Sequence, residues 1–129
     1  MLIVPDTNIL ISGASISQSY TGQIFSAWRE GTVEFATSEE ILEEVRRVLD
    51  YPQVHAFEHW TGTEKEQYII KVRSSSIVID EWQPVHISAD PDDDKFFSCA
   101  VAAGAAYIVS KDKHILDIGE YQHIKTVKP

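Results

Sequence analysis

The sequence predicts an α/β fold: a three-layer α/β/α sandwich built on a central parallel sheet of four to five strands. Three observations carry that expectation. Short aliphatic and β-branched runs recur along the chain, as in Leu2-Ile3-Val4 and Ile77-Val78-Ile79. Stretches with helical apolar spacing stand between them, and alternating strands and helices pair in parallel and cover both faces of the sheet. Acidic residues then follow strand-like runs or open helices: Asp6 after the first run, Asp112 after Tyr107-Ile108-Val109, and the cluster Asp90-Pro91-Asp92-Asp93-Asp94. In such sheets the carboxyl ends of strands meet in one crevice where strand order reverses, so distant carboxylates can converge there.

Taken in order, residues 2–4 form the first buried strand. Ser12 to Ser19, small and polar, reads as a loop. Gly22 to Glu30 carries Ile24, Phe25, Ala27 and Trp28 as a helical stripe closed by Gly31. Val33-Glu34-Phe35-Ala36 is the second strand. Thr37 is expected to cap the next helix, with Glu40 reaching back in a capping box. Ile41, Val45, Val48 and Leu49 give that helix its apolar stripe, and Pro52 stops it. Residues 52–60 and 63–73 read as two more helical pieces, and 76–80 as the third strand. Asp90 caps a helix with Pro91 at its first position, running through Phe96, Phe97, Ala100 and Val101 toward Gly104. Ala106 to Val109 is the fourth strand, and His123 to Val127 a fifth at the edge.

The 129 residues fit one domain spanning 1–129. The lone Cys99 cannot form an internal disulfide, which suits a buried thiol in a reducing, cytoplasmic setting. Neither a signal peptide nor a membrane span is expected. Twenty acidic against 11 basic residues give a net charge of −9. That argues against a simple nucleic-acid-binding module, because phosphate binding draws on Lys and Arg. It does not exclude an enzyme acting on nucleic acid, since part of the charge can belong to a metal site. Clustered carboxylates repel unless protonated or bridged by a cation, so convergence points to Mg²⁺ or Mn²⁺ and to phosphoester chemistry.

Facing selects among the acids. Asp6 and Asp112 follow strands, with a turn or capping role as the competing explanation. On the helix after Thr37, Glu44 lies three residues after Ile41 and four before Val48, bordering the buried face. Glu43 instead aligns with Glu39, Glu40, Arg46 and Arg47 on the solvent side. Asp93 precedes Phe96 and Phe97 by three and four residues and projects from the core-facing stripe. Helix-dipole stabilisation competes as an explanation of the Asp run.

Two other patterns fail. Asp90, Asp92 and Asp94 have EF-hand spacing, but Lys95 replaces the glycine and Val101 the final glutamate. His55-Ala56-Phe57-Glu58-His59 matches a zinc-protease pattern without a third ligand or a supporting helix. An aspartyl-nucleophile phosphotransferase would want a second aspartate where Asn8 stands.

On these residues the chain resembles the PIN domain family of small metal-dependent ribonucleases, above all the prokaryotic branch that supplies toxins of toxin–antitoxin pairs. The resemblance rests on Val4-Pro5-Asp6-Thr7-Asn8-Ile9-Leu10, Ile41 to Leu49, Asp90 to Phe97 with Ala100, and Ile108-Val109-Ser110-Lys111-Asp112. It implies Asp6, Glu44, Asp93 and Asp112 as catalytic residues, with Asp6, Asp93 and Asp112 holding Mg²⁺ or Mn²⁺. Asn8, Ser110 and Asp94 would support them, and whether Asp93 or Asp94 is the primary ligand stays open. Glu44 would be a ligand or would position the attacking water. An RNA substrate, an antitoxin protein and a homodimer are the implied partners, with Arg46, Arg47, Lys111, Lys113 and the loop 12–19 as candidate RNA contacts. The rival reading is a catalytically inactive PIN-like module that binds RNA or a partner.

Overall fold

The computed structural model describes residues 1–13, 20–51, 60–80, 83–87 and 90–129. The strands are β1 (Leu2–Pro5), β2 (Glu34–Ser38), β3 (Ile77–Ile79), β4 (Tyr107–Val109), β5 (Glu120–Tyr121) and β6 (Ile124–Val127). Among the described residues they form one six-stranded sheet in the order β3-β2-β1-β4-β6-β5. Every neighbouring pair is parallel except β5 with β6. The mostly parallel α/β sheet agrees with expectation, but the strand count and the edge differ. Gln122 and His123, at φ 47° and 69°, turn the chain so that β5 pairs antiparallel outside β6. β6 is therefore interior, and a two-residue strand with no apolar run of its own forms the edge.

Register sorts the side chains. Ile3 lies level with Phe35 and Tyr107, and Val4 with Ile108. Residues level with one another share a sheet face. On the first face, Phe35 stacks on Trp28 of α2 (Tyr20–Glu30), with ring centroids 4.6 Å apart, and meets Phe25 edge-on at 5.3 Å. On the other face Val4, Ala36 and Ile108 are wholly buried. Helix α5 (Asp94–Ala103) packs against β1, β2, β3 and β4, and ends at Gly104 with φ 70°.

Helix α1 (Thr7–Gly13) follows β1 directly and claims Ser12 and Gly13 from the expected loop; the remainder of that loop lies outside the described residues. Ile9, Leu10 and Ile11 are buried and anchor it. Helix α3 (Glu39–Leu49) packs against α1, β2 and α4 (Gly62–Ser74). Its cap is Ser38, whose Oγ accepts from the Ile41 amide at 3.3 Å. The expected cap, Thr37, lies inside β2 instead. β2 runs two residues further than its apolar run suggests, because Thr37 and Ser38 pair with Val78 and Ile79 of β3. The expected helical piece at 52–60, with Pro52 and the His55–His59 pattern, falls almost wholly outside the described residues. Cys99 is buried, and burial pushes its thiol up to about 12. No helix of the described residues is long and apolar enough to cross a membrane.

Candidate metal centre

The sheet order reverses at β1. The chain leaves β1 for β2 on one side, and β4 closes on the other. Pro5 stands level with Val109, and the Asp6 amide donates to the Val109 carbonyl at 3.0 Å. Asp6, Ser110 and Asp112 are thereby gathered at neighbouring carboxyl ends from residues more than a hundred positions apart. This is the crevice that the topology of open α/β sheets reserves for ligands.

Asp6 is 2% exposed, and both its oxygens are engaged. Oδ1 accepts from the Ile9 amide at 2.9 Å, which opens α1, and Oδ2 accepts from the Ser110 hydroxyl. Ser110 Oγ in turn accepts from the Asp112 amide at 2.8 Å. Burial raises the Asp6 carboxyl above its ordinary range. The Ser110 and Ile9 donors pull it back, and the nearby charges of Asp112 and Glu44 push it up again. With each oxygen already holding a donor, the Asp6 carboxylate is fixed in orientation.

Asp112 caps α6 (Lys113–Leu116), its Oδ1 accepting from the His114 amide at 2.8 Å. Capping thus uses one oxygen of this carboxylate. Asp93 ends a 3₁₀ turn, Pro91–Asp93, that Asp90 caps by accepting from the Asp92 amide at 3.0 Å. The expected helix therefore opens with a tighter turn before α5. Asp93 is buried, and its Oδ2 has no hydrogen-bond partner among the described residues. Burial first, then the charges of Asp112, Asp90 and Asp6, lift its carboxyl to about 6, while Lys95 opposes the rise. Asp94 turns elsewhere, with Oδ1 accepting from the Ile87 amide at 3.3 Å. The charges of Asp112, Asp90 and Asp6 act on Asp93, while Asp94 holds the Ile87 amide.

Glu44 borders the crevice from α3, where Leu42 joins Ile41, Val45 and Leu49 on the buried side. Its Oε2 is paired with the ammonium of Lys95, whose side chain is only 7% exposed. Lys95 is the site residue that sequence reasoning missed, since it entered only as a misfit to the EF-hand pattern. A legible signal was present: Lys95 sits in an apolar helix, one turn before Cys99, and a cation in such a helix needs an anionic partner. Asn8, expected to steady a carboxylate, is exposed on α1 and bonds to none of the four acids. Among the candidate RNA contacts, Arg46 is occupied by Glu43 and by both oxygens of Glu66, at 2.8 and 2.9 Å. Arg47, Lys111 and Lys113 are exposed.

Among the described residues no three metal-ligating side chains stand together as a ready-made coordination shell. The chemistry of the donors still fits a hard divalent cation. All are oxygens, two belong to carboxyls raised by burial and by neighbouring negative charge, and one buried carboxylate oxygen lacks a hydrogen-bond partner among the described residues.

Comparison with known proteins places the fold and the family. A chain of the crystal structure of VapBC2 from Rickettsia felis, bound to a DNA fragment from their promoter, is similar in fold: TM-score 0.63, 15% identity, with 98% of this chain and 97% of that one covered. No curated protein matches in sequence. The family model of the PIN domain matches residues 2–114. The match takes in Asp6, Glu44, Asp93 and Asp112 together, and the chain belongs to the PIN domain family.

Proposed function

We propose that the chain is a Mg²⁺- or Mn²⁺-dependent endoribonuclease and the toxin of a toxin–antitoxin pair. The observation that carries this reading is the partnerless, buried Oδ2 of Asp93, in the electrostatic reach of Asp6 and Asp112. Membership of the PIN family supports a nuclease, and the likeness to a VapBC2 chain supports a toxin with an antitoxin partner. Asp6, Asp93 and Asp112 are the residues that would hold the ion. When bound, it would neutralise charge building on the scissile phosphate and lower the pKa of the attacking water. Ser110 holds Asp6 in orientation, and Glu44 would be a further ligand or would position that water. Neither step needs a nucleophilic serine or cysteine. A reducing cytoplasm suits the single buried thiol.

The test is calorimetric titration of Mn²⁺ into wild-type and Asp6→Asn protein, beside cleavage of single-stranded and structured RNA. Wild type is expected to bind the ion and cut RNA, and Asp6→Asn to do neither. Asp6→Asn protein that binds Mn²⁺ and cleaves as wild type does would remove the assignment. Wild-type protein that binds RNA but never cuts it would return the chain to the class of silent binding modules.

A further inference from the structure

Lys95 is held on three sides. Its ammonium pairs with Glu44, donates to the Asp92 carbonyl at 2.5 Å and lies 5.0 Å from the centre of the Phe96 ring. A lysine so enclosed would be costly if it served packing alone, because a buried charge must be compensated where it sits. Its field reaches Asp93, and the field of Glu44 reaches Asp6. The pair therefore lies within electrostatic reach of Asp93 and Asp6 while being neutral overall. A carboxylate already neutralised by an ammonium gains less from a divalent cation than the partnerless oxygen of Asp93 does.

From this we propose that Lys95 is a positioning residue: its ammonium is an internal counter-ion that keeps Glu44 out of the coordination shell and aims it at the reacting water. Asp6, Asp93 and Asp112 are left to carry the cation. The inference rests on the metal-site reading above and assigns Glu44 between its two candidate roles.

Charge arithmetic gives a signature that a packing role would not produce. Lys95→Met keeps an unbranched side chain of similar length but releases the Glu44 charge, so Mn²⁺ should bind on the order of tenfold tighter. Cleavage of a mixed-sequence single-stranded RNA should nevertheless fall at least about tenfold, because Glu44 loses its aim. Glu44→Gln should weaken Mn²⁺ by a similar factor through charge alone. In the double variant Lys95→Met/Glu44→Gln the two charge changes cancel. It also leaves no buried unpaired charge, so it is the variant safest for folding. Its Mn²⁺ affinity should return to within about threefold of wild type while cleavage stays lost.

A double variant that binds Mn²⁺ as weakly as Asp6→Asn makes Glu44 a direct ligand and overturns the inference. A double variant that cleaves like wild type makes the pair structural and overturns it too. Where wild type binds Mn²⁺ through Asp6 and the double variant fails in either way, the inference falls alone. Where Asp6→Asn binds as wild type does, the metal-site reading falls and takes the inference with it.

Discussion

At the scale of the residue, Ser110 does the most with one atom. Its hydroxyl donates to Asp6 Oδ2 and accepts from the Asp112 amide, so it ties two of the candidate ligands into one geometry. It also lowers the Asp6 carboxyl against the rise that burial imposes, which favours the ionised form a cation needs. Ser110→Ala removes both bonds and leaves a buried carboxylate oxygen without its donor. Outer partners of metal ligands are typically worth about 10–100-fold in affinity, so Mn²⁺ binding by Ser110→Ala should weaken by roughly that factor. Ser110→Thr, which keeps the hydroxyl, should stay close to wild type in the same titration. Equal affinities for all three proteins would mean that the hydrogen bond does not tune the site. In the sequence Ser110 had significance only by position, after a strand and two residues before an aspartate. The bond itself joins residues 104 positions apart and could not be read locally.

At the scale of the element, the boundaries that local chemistry decides alone were legible, and those decided by neighbours were not. Gly31 and Gly104 end α2 and α5 as their sequence contexts suggest. The start of α3 was misplaced by one residue, because Thr37 and Ser38 are equally good caps until β3 pairs with both. The structure makes the two hydroxyls unequal. Ser38 Oγ holds the Ile41 amide, whereas Thr37 Oγ1 is buried without a hydrogen-bond partner among the described residues. Ser38→Ala should cost about 1 kcal/mol in urea unfolding, as lost helix caps do. Thr37→Val, which keeps the branched shape and drops an unsatisfied hydroxyl, should be neutral or stabilising by up to about 1 kcal/mol. The reverse order would return the cap to Thr37.

The junction of α1 and α2 is a second such case. A Cβ on Gly13 would stand 1.9 Å from the nearest atom of the Phe25 ring. That ring is buried and lodged edge-on against both Trp28 and Phe35. It has little room to yield, so Gly13→Ala should destabilise the fold by roughly 1–3 kcal/mol. Wild-type stability in Gly13→Ala would show that the ring can move aside. Sequence alone gave Gly13 to a loop, since the contact that demands glycine comes from a different helix.

At the scale of the whole molecule, the fold gathers negative charge that it cannot neutralise by itself. Among the described residues only Glu44 of the four candidate acids is in an ion pair, and the chain as a whole carries −9. The sequence disclosed which acids follow strands and face inward; it could not disclose the order β3-β2-β1-β4, which sets Asp6 beside Ser110. Convergence at that crossing point has a thermodynamic consequence. Asp93 titrates near 6 in the fold against an ordinary 3.8, and Asp6 is raised as well. A carboxyl whose folded value is raised binds its proton more readily in the native state than in the unfolded chain. Stability of the metal-free protein therefore rises as pH falls from above 6 toward 4, and it is lowest where both groups are ionised. Glu39 and Glu66 act in the opposite sense, held below the ordinary carboxylate range by Arg73 and Arg46. Their contribution is lost only below that range, which leaves the interval between about 5 and 7 to the crevice. Thermal melts without metal should accordingly rise as pH is lowered from about 7.5 to 5, and Asp93→Asn should flatten the slope and raise stability at pH 7. Saturating Mn²⁺ should reverse the slope, because the ion binds only the deprotonated carboxylates and competes with the same protons. A melting curve that falls with decreasing pH in the absence of metal would mean that burial and the neighbouring charges do not raise these acids in the folded chain. The electrostatic case for a cation at the head of β1 would fall with it.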